Sequence, residues 1–237
     1  MLSTAQTIEH PARGLGLHAP VGIRNPVRAL DAYFAQAPLR QMKAKEPLFA
    51  EGDLKSHVYK VESGAVLVYK IVSDGFRQIV NFAFAGDLIG LDAADEYAFD
   101  AETIAPTKLR SVSSTALLRQ ASVNASVAKE MFEALSREVE EARGHLLTIG
   151  RLSATGRLAT FLLMLSRRNS AKGLDAFNIT LPVRRSDIAD FLCLSVETVS
   201  RSLTELKQAK VISLRGWRQI GLVDRHALEN LASGECN

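Results

Sequence analysis

The chain has 237 residues, 47% of them hydrophobic, with 29 Lys and Arg against 26 Asp and Glu for a net charge of +3. Length and apolar content suffice for a real core in one or two domains. No run reaches the roughly 18 to 20 uncharged apolar residues that span a bilayer, and the N-terminus lacks the basic, apolar, small-residue order of a signal peptide, so a cytoplasmic protein without membrane contact is expected.

Residues 1–25 are rich in Ala, Gly, His and Pro without apolar period and read as a flexible arm. Val27, Leu30, Tyr33 and Phe34 stand at helical spacing in Asn25 to Ala37, and Pro38 ends that helix. From Lys45 to about Leu118 short apolar runs alternate with glycine-bearing breaks. Val58 to Val61, Ala65 to Val72, Arg77 to Ala85 and Lys108 to Ser113 are strand candidates, and Val80, Phe82 and Phe84 alternate as one face. A β-sandwich or jelly roll follows from that pattern.

Val123 to Arg151 carries the longest helical pattern. Phe132, Leu135, Val139, Ala142, Leu146 and Ile149 repeat at intervals of three and four, a heptad seam with Glu130, Glu133, Glu138, Glu140 and Glu141 off it. Two readings stand: a dimerisation helix, or a core helix packed on its own domain. Leu158, Phe161, Leu162 and Leu165 mark a further helix, followed by a linker at Asn169 to Asp175.

Val183 to Lys210 is the most informative stretch. Ile188, Ala189, Phe191 and Leu192 share one side of a first helix, and Val199, Leu203 and Leu206 one side of a second. Ser195 can cap the second helix, and Glu197 in its first turn suits the positive end of the macrodipole. Glu197, Ser200 and Arg201 then lie on the outer face within about one turn of the start. This is the pattern of a helix-turn-helix, although Glu197 and Arg201 at i, i+4 would also suit a plain surface ion pair. Downstream, Val211 to Val223 alternates and breaks at Arg215 and Gly216, the sign of a hairpin. A basic hairpin beside such a helix pair is a winged helix. The charge agrees: residues 1–150 hold 16 Lys and Arg against 18 Asp and Glu, and residues 151–237 hold 13 against 8.

LSVETVSRSL, with Val196, Glu197, Ser200 and Arg201, resembles the recognition helix of the CRP/FNR superfamily of bacterial transcription regulators, in its FNR and FixK branch. EGD, SGAVLVY and GDLIGL likewise resemble that superfamily's sensor domain. The resemblance implies an α+β protein: an N-terminal double-stranded β-roll (26–122), a dimerisation helix (123–152) and a C-terminal winged helix-turn-helix (153–237). It also implies a homodimer on double-stranded DNA, at a TTGAT- or TTGAC-like inverted repeat before low-oxygen respiratory genes, with RNA polymerase as a partner. Glu197, Ser200 and Arg201 are expected to read bases; Arg184, Arg185, Ser195, Thr198, Arg215 and Arg218 are expected near phosphates. Arg184 stands where relatives commonly place a capping Ser or Thr. Trp217 on the wing is expected to serve hydrophobic packing.

Cys193 occupies the turn where relatives often have Gly, near the recognition-helix dipole; it is either a small filler or a redox-sensitive thiol. Together with Cys236 it matches no zinc or disulfide spacing. Cyclic-nucleotide binders of the family carry a Glu and an Arg-Ser pair after the Gly-Asp-Leu turn, whereas Asp87 to Thr107 holds no Lys or Arg and, beyond Asp87 itself, five carboxylates, Asp92, Asp95, Glu96, Asp100 and Glu102. The N-terminal half has no cysteine for an iron-sulfur cluster. Neither a cofactor, a metal nor an enzymatic activity is expected, and the alternative to a ligand-free regulator is one gated by an unidentified effector in the β-roll.

Overall fold

The computed structural model describes residues 28–92 and 94–234, so the expected arm at 1–25, the start of the first helix and Cys236 lie outside the described residues. Helix α1 (Ala29–Ala35) leads into eight strands: β1 (Leu39–Met42), β2 (Pro47–Phe49), β3 (His57–Ser63), β4 (Ala65–Ile71), β5 (Arg77–Phe84), β6 (Leu88–Ile89), β7 (Asp100–Thr103) and β8 (Thr107–Ser113). They form two antiparallel four-stranded sheets, ordered β1-β8-β3-β6 and β2-β7-β4-β5. Met42, Tyr59, Val61, Val66, Ala83, Ile89 and Leu109 fill the space between them, which makes the double-stranded β-roll.

The β4-β5 pairing departs from the simple alternation in the sequence. Val68 pairs with Asn81 and Tyr69 with Ile79, so Val80 is the extra residue of a bulge and is left half-buried. The bulge resets the phase of the strand. Ile79 therefore joins Phe82 and Phe84 on the outer face, while Ala83 points into the roll. One glycine is fixed by close approach: Gly64 has φ +90°, and a Cβ there would lie 2.5 Å from Thr107 Oγ1.

After β8 the chain turns helical at Ser114, directly after the strand expected over Lys108 to Ser113. Helix α2 (Ser114–Val123) ends where Asn124 caps α3 (Ala125–Arg151), its side chain accepting from the Ser126 and Val127 amides. Helix α4 (Ala154–Ala171) follows, so the first residues of the expected linker are still helix. Strand β9 (Asn178–Thr180), helices α5 (Arg185–Leu192) and α6 (Val196–Gln208), strands β10 (Ile212–Arg215) and β11 (Gln219–Leu222) and helix α7 (Arg225–Ser233) complete the chain. The β10-β11 hairpin is extended by β9 into a three-stranded sheet that the sequence pattern did not suggest.

The largest core cluster crosses between the two halves. Leu67, Ile79, Phe82 and Phe84 of the roll share it with Leu158, Phe161, Leu162, Ile188, Phe191, Val199 and Leu203. The sheet containing β5 is thus buried on both faces, against the roll interior and against α4 and α5. That packing seats the helix pair directly on the roll.

Candidate DNA interface

α5 and α6 form the helix pair expected at 183–210, joined by Cys193, Leu194 and Ser195. Ile188, Ala189, Phe191 and Leu192 are buried on α5, and Val199, Leu203 and Leu206 on α6. The Ser195 hydroxyl accepts from the Thr198 amide at 3.1 Å and caps α6. Cys193 takes the left-handed conformation, φ 53°, as its amide closes on the Ala189 carbonyl. That geometry favours glycine, which explains the residue type expected there.

α5 starts at the residue after Arg184. Its first turn is closed by the Asp187 carboxylate, which accepts from the Arg184 amide at 3.0 Å, so the missing Ser or Thr cap is replaced by the reverse half of a capping box. Arg184 itself is exposed.

Glu197 and Arg201 are exposed and Ser200 half-buried, side by side on the outer face of α6. Among the described residues no ion pair joins Glu197 to Arg201, although an i, i+4 spacing allows one. Both head groups are therefore available to a partner. Arg185 is turned inward: its Nη1 donates to Ser200 Oγ at 3.4 Å, and its buried Nε has no partner. Ser195 and Thr198 spend a hydroxyl on each other at 2.9 Å.

At the hairpin, Arg215 and Arg218 are exposed around Gly216, whose φ is +68°. Trp217 is not packed into the core as expected. It is 56% exposed, with the Arg218 guanidinium 4.1 Å from its ring centre. A tight turn at a hairpin tip leaves the indole no apolar wall to rest on.

The expected seam on α3 divides. Phe132, Val139 and Leu146, seven residues apart, are 71%, 46% and 72% exposed, and Ala142 is exposed beside them. Leu135 instead packs half-buried against the cluster of Leu30, Phe34 and Leu117, and Ile149 is half-buried. Leu147, 58% exposed, extends the apolar stripe beyond the predicted set.

His145 lies on the same helix, facing the other way. Its ring stacks on Phe191 of α5 at 4.0 Å and 14°, and Phe191 also meets Phe82 and Phe161. Burial holds the His145 pKa below its ordinary 6.5, against the opposing pull of the Phe191 backbone. Unfolding lets the ring take a proton more readily, so this stability is complete above about pH 6.5 and is lost as pH falls below it. His145→Gln is expected to flatten the fall in melting temperature between pH 7.5 and 5.5; an unchanged slope would contradict that origin.

Between α1, α3 and the roll lies a cavity of about 90 Å³, lined by Asp31, Asp87, Glu130, Glu138 and Glu141 with Arg28 and Arg137. Arg168 already pairs with Asp87 at 2.5 Å. Such walls repel a phosphate, in line with the missing cationic cassette. Among the described residues no group of three or more His, Cys, Asp or Glu is placed to hold a metal, and no helix is long and apolar enough to cross a membrane.

Comparison with known proteins agrees with this geometry. Residues 156–231 match the Crp-like helix-turn-helix domain and residues 39–124 the cyclic nucleotide-binding domain. The chain is 37% identical to the nitrogen fixation regulation protein FixK of Azorhizobium caulinodans, over 78% of this chain and 75% of that one. The chain belongs to the CRP/FNR family. It is similar also to FixK of Rhizobium meliloti, 36% identical over 81% of this chain and 85% of that one. The solved structure of FixK2 from Bradyrhizobium japonicum superposes with a TM-score of 0.77 at 37% identity, covering 82% of this chain and 96% of that one. As a FixK/FNR-like protein this chain is a transcription regulator with a helix-turn-helix DNA-binding domain, and not an enzyme.

Proposed function

We propose that two copies of this chain pair along α3 and place their α6 helices in successive major grooves of an inverted repeat, about 34 Å apart. The observation that carries this reading is the outer face of α6, where Glu197, Ser200 and Arg201 stand together beyond a sealed apolar inner face. Arg201 donates to guanine O6 and N7, Glu197 accepts from cytosine N4 on the opposite strand, and Ser200 reaches a neighbouring thymine or adenine edge. Arg184, Ser195, Thr198, Arg215 and Arg218 serve the phosphates, which position the protein without reading sequence, and Arg185 joins them by swinging outward from Ser200. The stripe of Phe132, Val139 and Leu146 supports pairing, since apolar groups so spaced and exposed on one chain suit a two-stranded seam. The functional division is then roll (26–122), dimerisation helix (123–152) and winged helix-turn-helix (153–237).

By kinship with FixK the target resembles TTGAT or TTGAC with its inverted partner, and the protein works in the cytoplasm with RNA polymerase, activating genes of low-oxygen respiration. Selection of sites from a random DNA pool by the purified protein tests this reading. An enriched two-fold motif supports it; an asymmetric motif, or none, rejects it. A second reading, gating by an effector, draws on the cavity beside α3, whose carboxylates suit a cationic guest. Tight operator binding by the ligand-free protein would remove it.

Cys193 is exposed at the turn before α6. Oxidation of its thiol by peroxide to a sulfinic or sulfonic acid places negative charge beside the DNA phosphates and weakens binding. Peroxide is expected to abolish operator binding by the native protein and to spare Cys193→Ser. Equal loss in both would reject the redox role.

A further inference from the structure

We propose that Arg77 is a positioning residue for DNA recognition: its guanidinium clamps α5 to the β-roll at two points and so sets the half-site spacing that the regulator accepts. This inference rests on the paired, inverted-repeat reading above. Arg77 opens β5 and crosses to the other half of the molecule. Its Nη2 donates to Asp187 Oδ1 at 2.6 Å and to Asp190 Oδ2 at 2.7 Å, and its Nε to the same Asp190 oxygen at 2.9 Å. The adjoining Gln78 donates from Nε2 to the Asp190 carbonyl at 2.7 Å, and its Oε1 lies 3.5 Å from Cys193 Sγ.

The two carboxylates are three residues apart, close to one turn of α5, so a single rigid fork holds both and fixes rotation of the helix as well as its position. Asp187 is buried, and its second oxygen already closes the first turn of α5. Hence the clamp and the start of the helix share one carboxylate. The orientation passes to α6 through a three-residue turn and a shared apolar core. Apolar packing around Phe191 is non-directional, whereas the fork is directional. The packing holds the halves together, and Arg77, beside the single-point contacts of Gln78 on Asp190 and Arg168 on Asp87, contributes the two-point contact that fixes the angle at which α5 meets the roll. Where the roll and α3 define the two-fold axis, that angle sets the separation of the two recognition helices.

The test measures affinity of wild type, Arg77→Ala and Arg77→Lys for operators with half-sites one or two base pairs closer, at the preferred spacing, and one or two farther, plus a duplex with one half-site. Lys restores the charge but cannot fork across two carboxylates. Wild type is expected to favour one spacing by on the order of tenfold or more, the size of an ordinary coupling between sites. Both variants should lose that preference while keeping wild-type affinity for the single half-site. If Arg77→Ala melts below the assay temperature, Arg77→Lys decides. A wild-type spacing profile in a folded variant overturns the clamp alone. Absence of any spacing preference in wild type overturns the paired reading and the clamp with it.

Discussion

Arg201→Ala is expected to weaken operator binding by about 1 to 3 kcal/mol in each half-site, the value of a bidentate base contact. Over two half-sites that is about 2 to 6 kcal/mol, or roughly 30-fold to 10⁴-fold in affinity. The side chain is exposed on α6, has no ion-pair partner in Glu197 and supports nothing in the core, so the fold should survive. Selectivity should relax at one G·C pair per half-site and stay intact elsewhere. Titration of operator and random duplexes at one fixed salt concentration makes the distinction, because a phosphate contact contributes to both. Equal loss on the two duplexes would move Arg201 from base reading to backbone contact.

Leu146→Asp is expected to have the other large effect, on assembly. A leucine buried at a subunit interface contributes about 1.5 to 3 kcal/mol, and a two-fold axis counts it twice, giving about 3 to 6 kcal/mol before repulsion between the new carboxylates. The dimer dissociation constant should rise on the order of 10²- to 10⁴-fold. Leu146 is 72% exposed on the single chain, so the substitution leaves the monomer core untouched. Sedimentation equilibrium should show a dimer for the native protein and a folded monomer for the variant. A native monomer at micromolar concentration would end the account of α3 as a seam.

The helix-turn-helix was readable in the sequence because each signal in it is local: apolar residues three and four apart, and a serine at the head of the second helix. The proposed seam was legible only as a period, which picks out the exposed Phe132, Val139 and Leu146. A period cannot say which neighbours a helix already has, and Leu135 turned out to belong to the core of its own domain. In β5 the alternation of Val80, Phe82 and Phe84 misplaced one face, because a bulge adds a residue without leaving a mark in composition. Strands such as β2 and β6, three and two residues long, hold too few positions to show any period. Trp217 misled through its size, since a large apolar side chain usually packs while a hairpin tip provides nothing to pack on. The Arg77 clamp was beyond reach altogether: it joins residues 110 and 113 apart, and no local pattern distinguishes it from any surface arginine.

The proposed complex places two copies of α6 in the major groove on one face of the duplex, with Arg201 reading guanine there. Methylation interference on the selected operator probes this contact, since a methyl group on guanine N7 occupies the acceptor that Arg201 needs. One sensitive guanine is expected in each half-site, the pair lying about one helical turn apart, with the sensitivity gone in Arg201→Ala. Binding indifferent to guanine methylation, or blocked equally in the variant, would contradict it.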